Sequence, residues 1–199
     1  MASNTTSPPT EPGPLSQRKV IVALTGGIAC YKTATVVSRL TQRGADVRVL
    51  MTDAATRFIT PLTLQSLSGK PVLTSTWQSD DQPESQHIGV ARWADLMLIA
   101  PASADMIAKI AHGLCDDLVS LVACARKPDV PLLLAPAMNA EMWQNPIVQK
   151  NIAVLRDELK AHIVGPEEGW QACRTKGPGR MSEPETIVEA IEMSLLAGR

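Results

Sequence analysis

The chain has 199 residues, 45% of them apolar and 20% charged, with a net charge of -1, a size and composition that suit one well-cored globular domain. So neutral a balance offers no basic stripe to displace counterions from phosphates, which excludes nucleic acid as the expected partner. The longest apolar runs, such as residues 96–100, fall far short of the roughly 20 residues that cross a bilayer, so no membrane partner is expected either.

Residues 1–16 are rich in Ser, Thr and Pro and lack the apolar stretch of a signal peptide, so residues 1–17 are expected to form an uncleaved, disordered tail. A single domain follows over residues 18–199, with the cytoplasm as its expected compartment. Residues 20–24 (VIVAL) are a continuous aliphatic run, the pattern of a strand buried on both faces of a parallel sheet. Residues 28–43 keep apolar side chains at helical spacing (Ala34, Val37, Leu40) and stop at Gly44, a suitable helix end. Residues 47–51 supply a second strand, parallel to the first by the handedness of crossover connections. The pattern recurs with strands over 96–100 and 131–135, each running into Ala-Pro, and a helix from Ala104. Asn145-Pro146 and Ser182-Glu183-Pro184-Glu185 read as starts of two later helices, with a short strand over 162–164 between them. Alternating strands and helices predict a doubly wound α/β fold, whose ligands gather at the carboxyl ends of the strands. Cys30, Cys115, Cys124 and Cys173 are widely spaced with no C-x-x-C pair, so free thiols are expected, with no zinc site and no disulfide framework.

Four strand ends carry the candidate chemistry. After the first, Thr25-Gly26-Gly27-Ile28-Ala29 lets backbone N–H groups approach an anion at a helix start, although it matches neither the triphosphatase pattern nor the full dinucleotide fingerprint. A tight turn without a ligand would read the same way. After the second, Thr52-Asp53 offers a hydroxyl and a carboxylate, and Asp53 serves equally well as a helix cap. After the third, residues 101–106 (PASADM) combine small residues with Ser103 and Asp105. After the fourth, residues 136–143 (PAMNAEMW) bring an amide, two thioethers and an indole into one loop. There Asn139 can bind a carboxylate without a charge of its own, while Met138, Met142 and Trp143 read at least as well as packing.

Taken with His87 and the following residues 88–95, and with Gly165-Pro166 through Gly179-Arg180-Met181, these motifs resemble the homo-oligomeric flavin-containing cysteine decarboxylases. The resemblance runs from about Lys19 to the C-terminal helix, and the P-x-M-N-x-x-M-W loop is its most specific part. It is strongest to the branch that decarboxylates 4'-phosphopantothenoyl-L-cysteine in coenzyme A biosynthesis. Peptidyl-cysteine decarboxylases of the lantibiotic-modifying type and non-catalytic FMN-binding regulatory subunits are the related alternatives. The resemblance implies a flavodoxin-like, Rossmann-like fold, an FMN cofactor and a homo-oligomer built from trimers, with FMN at the subunit interfaces. It assigns the FMN phosphate to Gly26, Gly27 and Ile28, and the rest of FMN to Thr52, Ser103, Ala104, Asp105, Met106 and Ala137. Asn139, Met142 and Ala172 become substrate-binding residues, and His87 and Cys173 catalytic ones; no metal is implied.

The implied chemistry suits those residue types. A carboxylate beside a saturated thiol-bearing carbon has no electron sink, and two-electron oxidation to a thioaldehyde provides one, so that carbon dioxide leaves with an enethiolate behind. Return of hydride and a proton completes the cycle. Thiols are mostly protonated near neutral pH and can give that proton, and a histidine can act as base or orient the substrate. The glycines around Cys173 imply a mobile lid over the substrate. One departure stands out: the family has glycine directly after this cysteine, and here the residue is Arg174. The chain ends at Arg199 without an acidic extension or a fused synthetase domain, so a separate enzyme is expected to supply substrate.

Overall fold

In the computed structural model, which describes residues 15–76 and 86–197, the first aliphatic run lies in strand β1 (Lys19–Leu24). Its side chains alternate between two cores, with Val20, Val22 and Leu24 in one and Ile21 and Ala23 in the other. A strand wetted on neither face needs hydrogen-bonded neighbours on both edges. It pairs in parallel with β2 (Asp46–Met51) and β3 (Leu96–Ala102), and the sheet continues in parallel through β4 (Leu132–Pro136) to the short β5 (His162–Ile163). The order β2-β1-β3-β4-β5 is the flavodoxin-like one. Growth of the sheet reverses between β1 and β3, and the crevice beside their carboxyl ends is where such sheets bind ligands.

Helices α1 (Cys30–Gln42), α2 (Asp53–Thr56), α3 (Pro61–Ser68) and α9 (Pro184–Ala197) bury apolar residues in the first core. Helices α4 (Gln86–Trp93), α5 (Ala104–Ala111), α6 (Leu118–Ala125) and α8 (Pro146–Asp157) do so in the second, and the indole of Trp143 on the short α7 (Ala140–Gln144) packs there too. Each fully buried aliphatic side chain contributes about 1.5–3 kcal/mol.

The expected helix ends hold with small shifts. Gly44 ends α1 with φ of +88°, and Asn145 Oδ1 accepts from Ile147 N–H at 2.9 Å to cap α8. Helix α1 starts two residues later than the apolar spacing implies, because Ile28 and Ala29 remain in the turn. Thr52, not Asp53, caps α2, its Oγ1 accepting from Ala55 N–H at 3.2 Å. At α9 the first backbone bond runs from Ile187 N–H to Glu183 O at 3.2 Å, which moves the helix start one residue past Ser182. Residues 1–14 of the expected tail lie outside the described residues, but Leu15 belongs to the domain: it is 2% exposed and its N–H donates to Arg43 O at 3.2 Å.

The glycine-rich stretch expected as a lid is an antiparallel hairpin, β6 (Glu167–Trp170) with β7 (Lys176–Arg180). Its tip holds Cys173, and Arg174 there takes φ of +66°, the left-handed conformation that glycine adopts freely. The arginine therefore keeps the backbone geometry that a glycine would supply.

Candidate active site

The turn after β1 is shaped by its neighbours. A Cβ on Gly26 would stand 2.6 Å from Ala54 Cβ, whereas one on Gly27 would meet only Pro101 Cγ, at 3.7 Å. Among the described residues the N–H groups of Gly26, Gly27 and Ile28 have no acceptor, and they lie just before a helix of 13 residues. Unpaired donors at the positive end of a helix dipole form a cradle for a phosphate. Thr25 fastens the cradle to β3: its buried hydroxyl donates to Pro101 O at 2.6 Å and accepts from Ser103 N–H at 3.0 Å. Thr33 Oγ1 adds a bond to Ala100 O at 2.8 Å. Cys30 lies behind the turn with its Sγ 3.3 Å from Thr25 O, and burial pushes its thiol up to about 11, so it stays protonated and takes no part in thiolate chemistry.

Three residues expected to bind ligands turn out to be helix caps. Thr52 Oγ1 accepts from Ala55 N–H, Ser103 Oγ from Met106 N–H at 3.3 Å, and Asn139 Oδ1 from Met142 N–H at 2.9 Å. Capping consumes the acceptor oxygen and leaves the hydroxyl hydrogens of Thr52 and Ser103 and the amide hydrogens of Asn139 as donors. Donors at the carboxyl ends of β2, β3 and β4 suit phosphate, ribityl and carboxylate oxygens. The residues present thus fit a flavin that carries a phosphate.

A cavity of about 450 Å³ opens beside the cradle. Of the expected site residues, Gly27, Ile28, Ala137, Asn139, Ala172 and Cys173 line it. Sequence reasoning missed Tyr31, Lys32, Trp170 and Gln171 on the same wall, which Met138, Gly179, Arg180 and Met181 of the quoted motifs complete. Lys32 is 7% exposed, and its Nζ donates to Met181 O at 2.9 Å and to Glu183 Oε1 at 3.0 Å. Arg180 reaches Glu183 Oε1 and Glu167 Oε2, both at 3.1 Å. The hydrogen bond from Lys32 holds the Glu183 carboxyl below its ordinary value, against the opposing effect of desolvation. Lys32 repeats at four-residue spacing with buried Val36 and Leu40, so the helical periodicity could have marked it as a lysine on the core face.

Cys173 Sγ lies 3.0 Å from Thr175 Oγ1 and 3.5 Å from Gln171 Oε1. His87 stands in the first turn of α4, which packs in the second core, and does not line this cavity. Thr52, Ser103, Ala104 and Asp105 lie at neighbouring strand ends outside it, Asp105 paired with Lys109 at 3.4 Å. Met106 is 1% exposed in the second core, so only its backbone can face a cofactor. Met142 is 45% exposed and does not line the cavity. Among the described residues no group of three or more His, Cys, Asp or Glu could hold a metal ion, and no helix is long and apolar enough to cross a membrane.

The Flavoprotein family profile matches residues 9–196. The chain is 46% identical over 178 residues to the coenzyme A biosynthesis bifunctional protein CoaBC of Vibrio vulnificus, covering 89% of this chain but 44% of that protein. It is 44% identical to a probable phosphopantothenoylcysteine decarboxylase of Streptococcus mutans, covering 89% of this chain and 99% of that one. The chain thus spans less than half of the bifunctional relative and nearly all of the single-function one. Among solved structures, a cysteine-to-serine variant of PPC decarboxylase complexed with pantothenoylaminoethenethiol superposes with a TM-score of 0.79 at 33% identity, over 89% of this chain and 97% of the other. The FMN-dependent cysteine decarboxylase SpaF superposes with a TM-score of 0.80 at 28% identity, over 92% and 98%.

Proposed function

The chain belongs to the Flavoprotein family, and on that footing we propose that it is an FMN-dependent decarboxylase converting 4'-phosphopantothenoyl-L-cysteine to 4'-phosphopantetheine. The observation that carries this reading is the single cavity that joins the phosphate cradle, the free amide of Asn139 and the thiol of Cys173. Likeness to a phosphopantothenoylcysteine decarboxylase over nearly its whole length supports the substrate. Likeness to an FMN-dependent cysteine decarboxylase supports FMN as the flavin.

Gly26, Gly27 and Ile28 would hold the FMN phosphate, and Thr52, the turn over Ser103, Ala104, Asp105 and Met106, and Ala137 the remainder. When bound, the flavin supplies the two-electron sink that the cysteine carboxylate lacks. Asn139 donates its amide hydrogens to that carboxylate, Ala172 borders the substrate, and Met142 approaches it from the rim. His87 acts as base or orients the substrate in the first half of the reaction, and Cys173 returns the proton in the second. On this reading His87, which does not line the cavity of its own chain, reaches the site from a second copy, in a homo-oligomer built from trimers.

The test uses the purified protein. It should absorb near about 370 and 450 nm, as an oxidised flavin does, and release carbon dioxide from phosphopantothenoylcysteine. No release from flavin-loaded protein would sink the reading. Cys173→Ser should keep the flavin and stall after carbon dioxide is lost, and full turnover by this variant would remove the proton-donor role.

A further inference from the structure

We propose that Gln171 is a positioning residue that docks the tip of the β6–β7 hairpin onto the substrate-binding loop and holds the Cys173 thiol against it. The docking stands on geometry alone, while its importance for proton delivery rests on the decarboxylase reading above. Gln171 is 7% exposed at the end of a surface hairpin, and both ends of its carboxamide are used. Nε2 donates to Pro178 O at 2.8 Å and Gly177 O at 3.3 Å, both on β7. Oε1 accepts from Ala140 N–H at 3.1 Å, at the start of α7 and one residue beyond Asn139. The same oxygen lies 3.5 Å from Cys173 Sγ and 3.4 Å from Thr175 Oγ1.

One side chain therefore joins the strand below the tip, the turn that carries the thiol and the helix start that carries the substrate amide. The base of the hairpin has its own tie, from Met138 N–H to Gly179 O at 3.0 Å, so Gln171 governs the tip in particular. The task needs a donor and an acceptor on one terminal carbon, which a carboxamide supplies, and asparagine is one carbon shorter. Removing that group takes away the partner of the Ala140 N–H and one acceptor contact each from the carbonyls of Gly177 and Pro178.

The test compares flavin-loaded wild type with Gln171→Met, which keeps length and apolar bulk, and with Gln171→Glu, which keeps the acceptor for Ala140 N–H but loses the amide donor. The first measurement is the rate of trypsin cleavage after Arg174 and Lys176 in the turn, resolved by mass spectrometry. The second is stopped-flow absorbance near 450 nm after mixing with phosphopantothenoylcysteine. Gln171→Met should hold its flavin, be cut about tenfold faster, lose its absorbance at the wild-type rate and recover it about tenfold more slowly. Gln171→Glu should be cut at an intermediate rate. Equal cutting of wild type and Gln171→Met would overturn the docking role, and faster cutting with unchanged recovery would overturn the hold on Cys173. If the wild type shows no absorbance change, the decarboxylase reading fails while the cleavage rates still decide the docking.

Discussion

Gly179 has φ of +129°, and a Cβ there would stand 2.3 Å from Met138 O. The obstacle is backbone, so it cannot swing aside as a side-chain end would. Gly179→Ala should lower stability by about 2–4 kcal/mol, from the clash together with the strained φ. Thermal unfolding followed by circular dichroism measures this, and an unchanged Tm would mean that the hairpin does not dock at Met138. Arg174 differs, since its left-handed φ costs about 1–2 kcal/mol without a clash. That explains how an arginine can stand where the resemblance leads one to expect glycine. At this scale the sequence pointed to residues inside motifs, such as Asn139 and Cys173, and missed those that act through contacts distant in sequence. Gln171 lies in no periodic or spaced pattern, and its role depends on Ala140, 31 residues away.

At the scale of elements, the joint between β1 and β3 deserves a mutation. Thr25 Oγ1 serves Pro101 O and Ser103 N–H from a site that is 1% exposed. Thr25→Val keeps the shape and removes both bonds, leaving a buried N–H and carbonyl unpaired at about 1–3 kcal/mol. Chemical denaturation should show that loss, and the variant should release flavin more readily on dialysis; retention equal to wild type would separate the joint from the cofactor cradle. Strands β1 to β4 were legible because unbroken aliphatic runs have few other places to go. The hairpin was not, since Lys176–Arg180 reads KGPGR and glycine and proline are depleted in strands. Its pairing comes from packing on the 138–140 loop, where a Cβ on Gly177 would be 2.8 Å from Ala140 Cβ, a long-range fact that no local window contains.

For the whole molecule, the two cores divide the site. The cradle, Asn139 and Cys173 gather around one cavity, while His87 rides on a helix of the second core. If active sites form between copies, mixing two inactive variants should restore activity. Co-expressed His87→Asn and Cys173→Ser chains should give oligomers in which about a quarter of the sites combine an intact His87 with an intact Cys173. Carbon dioxide release and product formation by the mixed assembly measure the rescue, and no activity in it would put both residues in one chain's site. The family resemblance pointed to such sharing, whereas burial patterns within one chain carry no trace of what a second copy adds. The hairpin bears on this shared pocket in another way. The body grips it through the main-chain N–H groups of Met138 and Ala140, which every residue type except proline carries. A finger anchored at Gln171 and Gly179 can vary the turn between them without loosening its hold, so Ala172 and Arg174, beside the thiol but outside the Gln171 side-chain contacts, are where descendants of this scaffold can rewrite their substrate range most freely.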